Sequence, residues 1–344
     1  MFNKIKKFAK SRKNSGYIIL NCIILFFLFI SFGKIEWLKS IEFQDISAYA
    51  NTISTFVGEN LKYLQTTTVK VLLFALLIIA NTLWIIKFIS KDKILLIRHN
   101  SFSNAIEGYN LKVFKKKKLI IENINITKEI EKDKYEALRL QDQFVKRIKD
   151  KLSPECELSY CGIAHIPFIS RMGYQIGDEN NVLLLHKNRN NDSVFDKLES
   201  NADYSNKIEY EYVPGSVNGN SLLVTVSTTF SIEPTDISQF YTKVSHILKF
   251  NLQNKGFDVL NNMPLMEVAK NDILTKIRDI VKQKNISIIH LVMATSSEFA
   301  FFLSQGFSGM HDPKIIVYHY SKQSDVKYPW GISLMDKPEE SIIE

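Results

Sequence analysis

Two long uncharged runs in the first quarter of the chain restrict its folding more than anything that follows them. Between Lys13 and Lys34 lie twenty residues without a charge, centred on Ile23-Ile-Leu-Phe-Phe-Leu-Phe-Ile30. At about 1.5 Å of helical rise per residue, such a run matches the hydrocarbon core of a bilayer and is predicted to span it. A second uncharged run, Val71 to Ile86, is bounded by Lys70 and Lys87, which can reach headgroups on either side, and Trp84 suits the interfacial belt. The organisation expected is a basic terminus over 1–13, transmembrane helices over 14–34 and 67–89 joined by an extracytoplasmic loop over 35–66, and a body from 90 onward.

A cleaved signal peptide is the competing explanation of the first run. Ala48-Tyr-Ala50 imitates a cleavage site, but signal peptidase cuts close to the apolar region, and this site lies about fifteen residues beyond it. Orientation follows from the cations. Six of them precede the first run and Lys87, Lys91, Lys93 and Arg98 follow the second, whereas the loop sets Lys39 and Lys62 against Glu36, Glu42, Asp45 and Glu59. Both termini are then expected in the cytoplasm. Ile35, Leu38, Ile41, Ile46, Tyr49, Ile53, Phe56, Val57 and Leu64 recur at roughly helical spacing, which fits an amphipathic helix lying on the outer face. Asn21, Asn81 and Thr82 inside the runs either join the two helices, join subunits or line a pore.

The net charge of +8 invites a nucleic-acid reading until it is located. Residues 1–13 hold six cations and no acid, and Lys115 to Lys118 add four more, so the remainder of the chain is slightly acidic. A body without a basic balance is not built to grip long DNA or RNA through counterion release. Any nucleotide it binds should be small and pocketed. The cysteines are Cys22, Cys156 and Cys161; their spacing suits neither CxxC redox chemistry nor a zinc ribbon, and reduced thiols are expected.

From residue 91 the pattern alternates apolar runs with amphipathic stretches. Strands are predicted at Ile94 to Ile97, Leu119 to Ile121, Leu158 to Ala164 and Val182 to Leu185, with helices over Lys128 to Leu152 and Ile166 to Tyr174. The second half repeats the theme: strands at Ser221 to Val226, Ile286 to Met293 and Lys314 to Tyr318, helices over Val268 to Lys282 and Ser296 to Gln305. The alternation predicts an α/β body of two Rossmann-like lobes, 90–210 and 211–344.

The run IIHLVMATSSEFAFFLSQGF, then KIIVYHY and YPWGISL, resembles the C-terminal half of SAVED domains, sensor modules of two fused CARF-like lobes. Upstream, CGIAHIPFISRMGYQIGDENNVLLLHKNR is similar to the first-lobe segment of that family. The resemblance covers roughly residues 92–335, and the two preceding spans match the layout of two-transmembrane SAVED effectors of CBASS anti-phage systems. It implies a cyclic oligonucleotide ligand, from di- to tetranucleotide, made by a CD-NTase enzyme. It further implies ligand-driven homo-oligomers, contact with membrane lipids, and disruption of the membrane in abortive infection.

A ligand of phosphates and flat bases calls for free backbone N–H groups, hydroxyls, some cations and stacking surfaces, placed where strands of a doubly wound sheet end. Three such loops carry that chemistry: Arg98, His99, Ser101 and Phe102; Ser227, Thr228 and Thr229; Thr295, Ser296 and Ser297. Each has an ordinary competitor, since Thr295 to Ser297 can simply cap a helix and Ser227 to Thr229 can end an exposed strand. Arg171, Lys187 and Arg189 are candidate phosphate partners against solvated surface cations, and Phe168 a candidate stacking ring against a core aromatic. His290 lies within an apolar run and reads as a core histidine, Lys115 to Lys118 face either anionic lipid or water, and Glu339 and Glu340 solvate the C-terminal tail.

The histidines show no paired ligand spacing, and neither a nucleophile elbow, a Walker loop nor a kinase signature is present. No metal, cofactor or catalytic residue is expected, and the chain reads as a non-enzymatic effector. The alternatives are a membrane-anchored CARF-like nuclease that opens its own cyclic ligand, and a membrane scaffold that binds no nucleotide.

Overall fold

The computed structural model of the chain describes residues 75, 93–102, 114, 118–153, 156–187, 194–200 and 205–344. Both expected spans, the loop between them and the basic terminus lie outside the described residues, apart from Ala75, as do Cys22, Lys115 to Lys117 and Arg189. Among the described residues no helix is long and apolar enough to cross a membrane.

The first lobe is a five-stranded sheet. Its strands are β1 (Lys93–Asn100), β2 (Lys118–Asn125), β3 (Cys156–Ile163), β4 (Val182–Lys187) and β5 (Phe195–Lys197), in spatial order β2-β1-β3-β4-β5. All neighbours are parallel except β4 and β5. Helices α1 (Thr127–Lys132) and α2 (Lys134–Lys151) connect β2 to β3, and α3 (Ile166–Ile176) connects β3 to β4. The single charged helix expected over 128–152 is broken at Asp133, whose backbone is extended and whose carboxylate accepts from the Tyr135 amide to start α2 afresh.

The second lobe contains β6 (Ile208–Pro214), β7 (Ser221–Ser227), β8 (His246–Leu252), α4 (Met263–Lys284), β9 (Ile288–Ala294), α5 (Ser297–Gln305), β10 (Lys314–His319), β11 (Trp330–Ser333), α6 (Pro338–Ser341) and β12 (Ile342–Ile343). Its sheet runs β12-β11-β10-β9-β7-β8-β6, with β8, β7, β9 and β10 parallel and the flanking strands antiparallel. The four parallel strands of each lobe therefore share one order: the first strand sits between the second and third, and the fourth lies outside the third. The chain passes from one sheet to the other between Lys197 and Ile208, a few residues before the division expected at 210.

The apolar runs become central strands because both of their faces are covered. On β7, Leu222, Val224 and Val226 face the helices, while Leu223 faces a smaller cluster on the far side with Ile237, Phe240 and Val244. On β1, Leu95 and Ile97 face the helices, and Ile94 and Leu96 pack with Phe114 and Phe195. One continuous core joins the inner faces of both sheets to α2, α3, α4 and α5.

The lobes meet where α3 packs on α5. A Cβ at Gly173 would stand 2.3 Å from the Phe301 carbonyl oxygen, so glycine is what allows this approach. Phe301 in turn stacks on Tyr160 of β3 at 4.1 Å between ring centroids. Arg171, on α3, ties the first lobe to the end of the second. Nε and one terminal nitrogen donate to Asp142 at 3.0 and 2.6 Å, and the guanidinium also donates to the carbonyls of Ser333 and Asp336 and to Ser341 Oγ. These five contacts use its five N–H donors.

Candidate functional site

In a doubly wound sheet, adjacent strands whose connections leave in opposite directions open a crevice beyond their carboxyl ends. Each lobe has such a point, between β1 and β3 in the first and between β7 and β9 in the second. The second opens into a cavity of about 570 Å³, well within the ~300–1,000 Å³ typical of small-molecule sites. Gly162, Ile163, His186 and Lys187 bring the ends of β3 and β4 to its wall, Thr229 and Ala294 follow from β7 and β9, and Tyr320 and Lys322 from the loop after β10. Both lobes thus build it. A Cβ at Gly162 would fall 2.4 Å from the Tyr160 hydroxyl, so the wall is bare of a side chain there.

Thr295, Ser296 and Ser297 lie where β9 turns into α5, and all three line the cavity. The Thr295 and Thr228 hydroxyls share a 2.6 Å hydrogen bond that fixes the two loops together. The amides of Thr228 and Thr229 donate to the Ala294 carbonyl at 2.9 and 3.0 Å. Ser296 occupies the N-cap position of α5, yet it makes no capping hydrogen bond, and its Oγ is buried without a partner. At the two longest helices, by contrast, Asn262 accepts from the Leu265 amide to start α4 and Asp133 from the Tyr135 amide to start α2. The first amides of α5 are therefore left without a side-chain cap and with the positive end of the helix dipole behind them.

Around this polar floor stand exposed rings. Phe230 is 58% exposed and meets Phe257 edge-to-face at 4.9 Å, and Tyr320 stacks obliquely near Tyr328 at 5.5 Å. A group of accessible aromatics at a cavity mouth offers stacking faces. Deeper in, His186 Nδ1 lies 2.6 Å from Glu298 Oε1 and Nε2 lies 2.8 Å from Asp258 Oδ1. Burial opposes charge on this ring, but the bonds to Glu298 and Asp258 raise its pKa above the ordinary histidine value.

The expected site residues part company here. Thr229, Thr295, Ser296 and Ser297 line the cavity, Thr228 supports it from behind, and Ser227 is buried, accepting from the Ile232 amide. Arg98, His99, Ser101 and Phe102 do not line it. Arg98 shares the face of β1 that carries Ile94 and Leu96. His99 is fully buried, contacts the Tyr160 hydroxyl at 3.2 Å, and burial lowers its pKa to about 3, which makes it a core group. Ser101 hydrogen-bonds His165 Nδ1 at 2.6 Å, and Phe102 stacks on the same ring at 4.3 Å, so this loop closes the first switch point instead.

Phe168 is fully buried in the shared core, and Arg171 has spent its donors on protein acceptors; neither is available to a ligand. Lys187 does reach the cavity. His186, Glu298, Phe230, Phe257 and Tyr320 were not anticipated. His290 is half-buried with Nδ1 2.8 Å from the Tyr318 hydroxyl, and burial lowers its pKa to about 4. Cys156 and Cys161 are free thiols, and no cluster of metal-ligating side chains occurs among the described residues.

Two fused lobes of one strand order, with hydroxyls, uncapped amides and rings gathered at a cavity between them, make up the α/β domain. Residues 138–334 match the SAVED family, the SMODS-associated sensor domain fused to various effectors, and the chain belongs to it. Among solved structures it is similar to the Cap4 SAVED/CARF-domain containing receptor of Acinetobacter baumannii with the cyclic trinucleotide 2'3'3'-cAAA. That match has a TM-score of 0.51 at 14% identity and covers 74% of this chain and 54% of that one. The same receptor with 3'3'3'-cAAA matches with a TM-score of 0.51 at 13% identity, over 74% of this chain and 56% of that one. The likeness is one of fold, and the chain spans a little over half the length of those receptors. No curated protein matches it in sequence.

Proposed function

We propose that the chain is a receptor for a cyclic oligonucleotide messenger, bound in the cavity between its lobes, and a non-enzymatic effector of anti-phage defence at the bacterial inner membrane. The observation that carries this reading is the start of α5. Its uncapped amides open on the cavity beside Ser296 Oγ, which is buried without a partner. That arrangement accepts a phosphate. Phe230, Phe257 and Tyr320 supply faces on which bases stack. The cyclic trinucleotides named with the Acinetobacter receptors support a ring of the same chemistry here.

The two apolar runs of the N-terminal quarter act as the effector: they span the membrane with both termini cytoplasmic. A messenger made by a CD-NTase draws tethered copies together, where anchoring in one membrane raises their effective concentration. The gathered helices then disrupt the bilayer, and the infected cell dies or arrests.

Calorimetric titration of the full chain with cyclic di-, tri- and tetranucleotides tests the sensor. One member should bind, and Ser296→Asp, which puts a carboxylate where the phosphate sits, should weaken it by at least about tenfold. Absence of heat with every ring sinks the reading, and linear products after incubation would make the chain an enzyme. Dye release from liposomes holding the full chain, triggered only by the binding ring, tests the membrane half.

A further inference from the structure

His186 is the penultimate residue of β4 in the first lobe, yet both of its partners belong to the second: Glu298 in the first turn of α5, and Asp258 in the segment after β8. At 2.6 and 2.8 Å both contacts are hydrogen bonds, and an ionised carboxylate only accepts. Where both carboxylates are ionised, both ring nitrogens carry hydrogen; since a neutral imidazole has one N–H, the ring is then the imidazolium, the direction in which its raised pKa also points. The other charged groups near it are Lys187 beside it on β4, Asp196 opposite it on β5, and Asp236 and Lys322 across the cavity. Tyr160 stands beneath Glu298 with its hydroxyl kept neutral, because burial pushes its pKa well up.

The position of Glu298 gives this contact its consequence. It is 4% exposed and sits in the same first turn of α5 whose amides are free for an anion. A bare carboxylate there would repel a phosphate at the place that otherwise suits it best. We propose that His186 is a proton-loaded latch: its charged ring fastens the two lobes at the cavity floor and offsets Glu298, so the cavity takes an anion only while the proton is held. The anion half rests on the cavity being the ligand site, whereas the latch does not.

The sign of the pH dependence follows. A histidine whose folded pKa is raised contributes fully below the unfolded value of about 6.5, and the contribution is lost as pH rises through the folded value. Thermal unfolding of the ligand-free full chain from pH 6 to 9 should show a falling midpoint that is flatter in His186→Gln. Should that variant not fold, Glu298→Gln withdraws one partner and should flatten the same limb. Parallel curves for wild type and variant overturn the latch.

Cyclic triadenylate, titrated at pH 6.5 and 8.5, reads the anion half. Wild type should bind roughly tenfold more weakly at the higher pH, the order expected for one linked proton. Glu298→Gln should lose less than about twofold, because its neutral amide does not need the proton. Equal wild-type affinities at the two pH values overturn the coupling. Altered unfolding curves with no binding of any ring leave the latch standing and overturn the anion reading of the cavity instead.

Discussion

The two lobes use one strand order and treat its crevice in opposite ways. In both, the helix that follows the third parallel strand begins without a side-chain cap, at His165 for α3 and at Ser296 for α5. In the first lobe that start is covered by rings. Phe102 stacks on His165, His165 lies 4.7 Å from His319, and His319 stacks on Trp330 at 4.8 Å, with Lys134 above the indole. His319 and Trp330 come from β10 and β11 of the second lobe, so that lobe fills its neighbour's crevice and leaves its own open. The fold supplies two places where a ligand can sit, and side chains decide which is kept.

The largest break in this comparison is Trp330→Ala. The indole is 7% exposed, and its removal should cost about 3–5 kcal/mol of stability, read by equilibrium unfolding, as for other buried large aromatics. Ligand affinity measured where the variant is still folded should stay within about threefold, because Trp330 does not line the open cavity. A large loss of affinity alongside stability would mean that the two crevices act as one.

How much of this was legible depends on whether the partners lie near in sequence. The central strands β1, β3, β7, β9 and β10 announce themselves as apolar runs, and α3, α4 and α5 as amphipathic stretches between them. Strands β6 and β8 do not, since Lys249 and Asn251 interrupt one and Glu209 and Glu211 the other. Only their pairing explains the charges, where Lys249 meets Glu211 at 3.0 Å across the strands. The hydroxyl loops at 227–229 and 295–297 were readable because each follows a strand. The loop at 98–102 has the same local chemistry, and nothing nearby says that His165 will cover it. Arg171 looks like a surface cation until Ser333 and Ser341, more than 160 residues later, arrive beside it. Glu298 likewise reads as a first-turn acid, and its meeting with His186 bridges 112 residues.

A smaller effect, confined to the open crevice, is expected from Phe230→Ala. Loss of one stacking face should weaken ligand binding by about 1–3 kcal/mol, roughly five- to 150-fold, in a calorimetric titration. The ring is more than half exposed, so the unfolding midpoint should hardly move. A stability loss with unchanged affinity would place Phe230 in the packing of the loop, not at a base.

The two crevices should also answer pH with opposite sign. Burial lowers the pKa of both His165 and His319 to about 4, with His319 adding to the effect on the first and Lys134 on the second. Histidines held neutral contribute stability above the unfolded value of about 6.5 and lose it as pH falls toward 4, the reverse of His186. The unfolding midpoint should drop by several degrees between pH 6.5 and 5 on this account, at roughly 2–4 °C for each kcal/mol lost. His319→Phe keeps a ring against Trp330 without the titrating group, and should reduce that drop. His99 and His290, buried with lowered values of about 3 and 4, maintain part of it in the variant. An unaltered acid limb would show that the closed crevice is insensitive to protonation.

The smallest effect should come from Phe102→Ala, and it discriminates most finely between the two crevices. Phe102 is 42% exposed, so its ring covers His165 without being sealed in, and removing it should cost less than about 1 kcal/mol in unfolding. The Ser101 hydroxyl, 2.6 Å from His165 Nδ1 and accepting from the His165 amide at 2.8 Å, still fixes the start of α3 without it. Cyclic-nucleotide affinity should be unchanged, since the residue lies outside the cavity, whereas Phe230→Ala changes affinity and not stability. If Phe102→Ala instead abolishes binding, the ring of the first lobe is a ligand contact, and the cavity at the second switch point is not where the messenger is read.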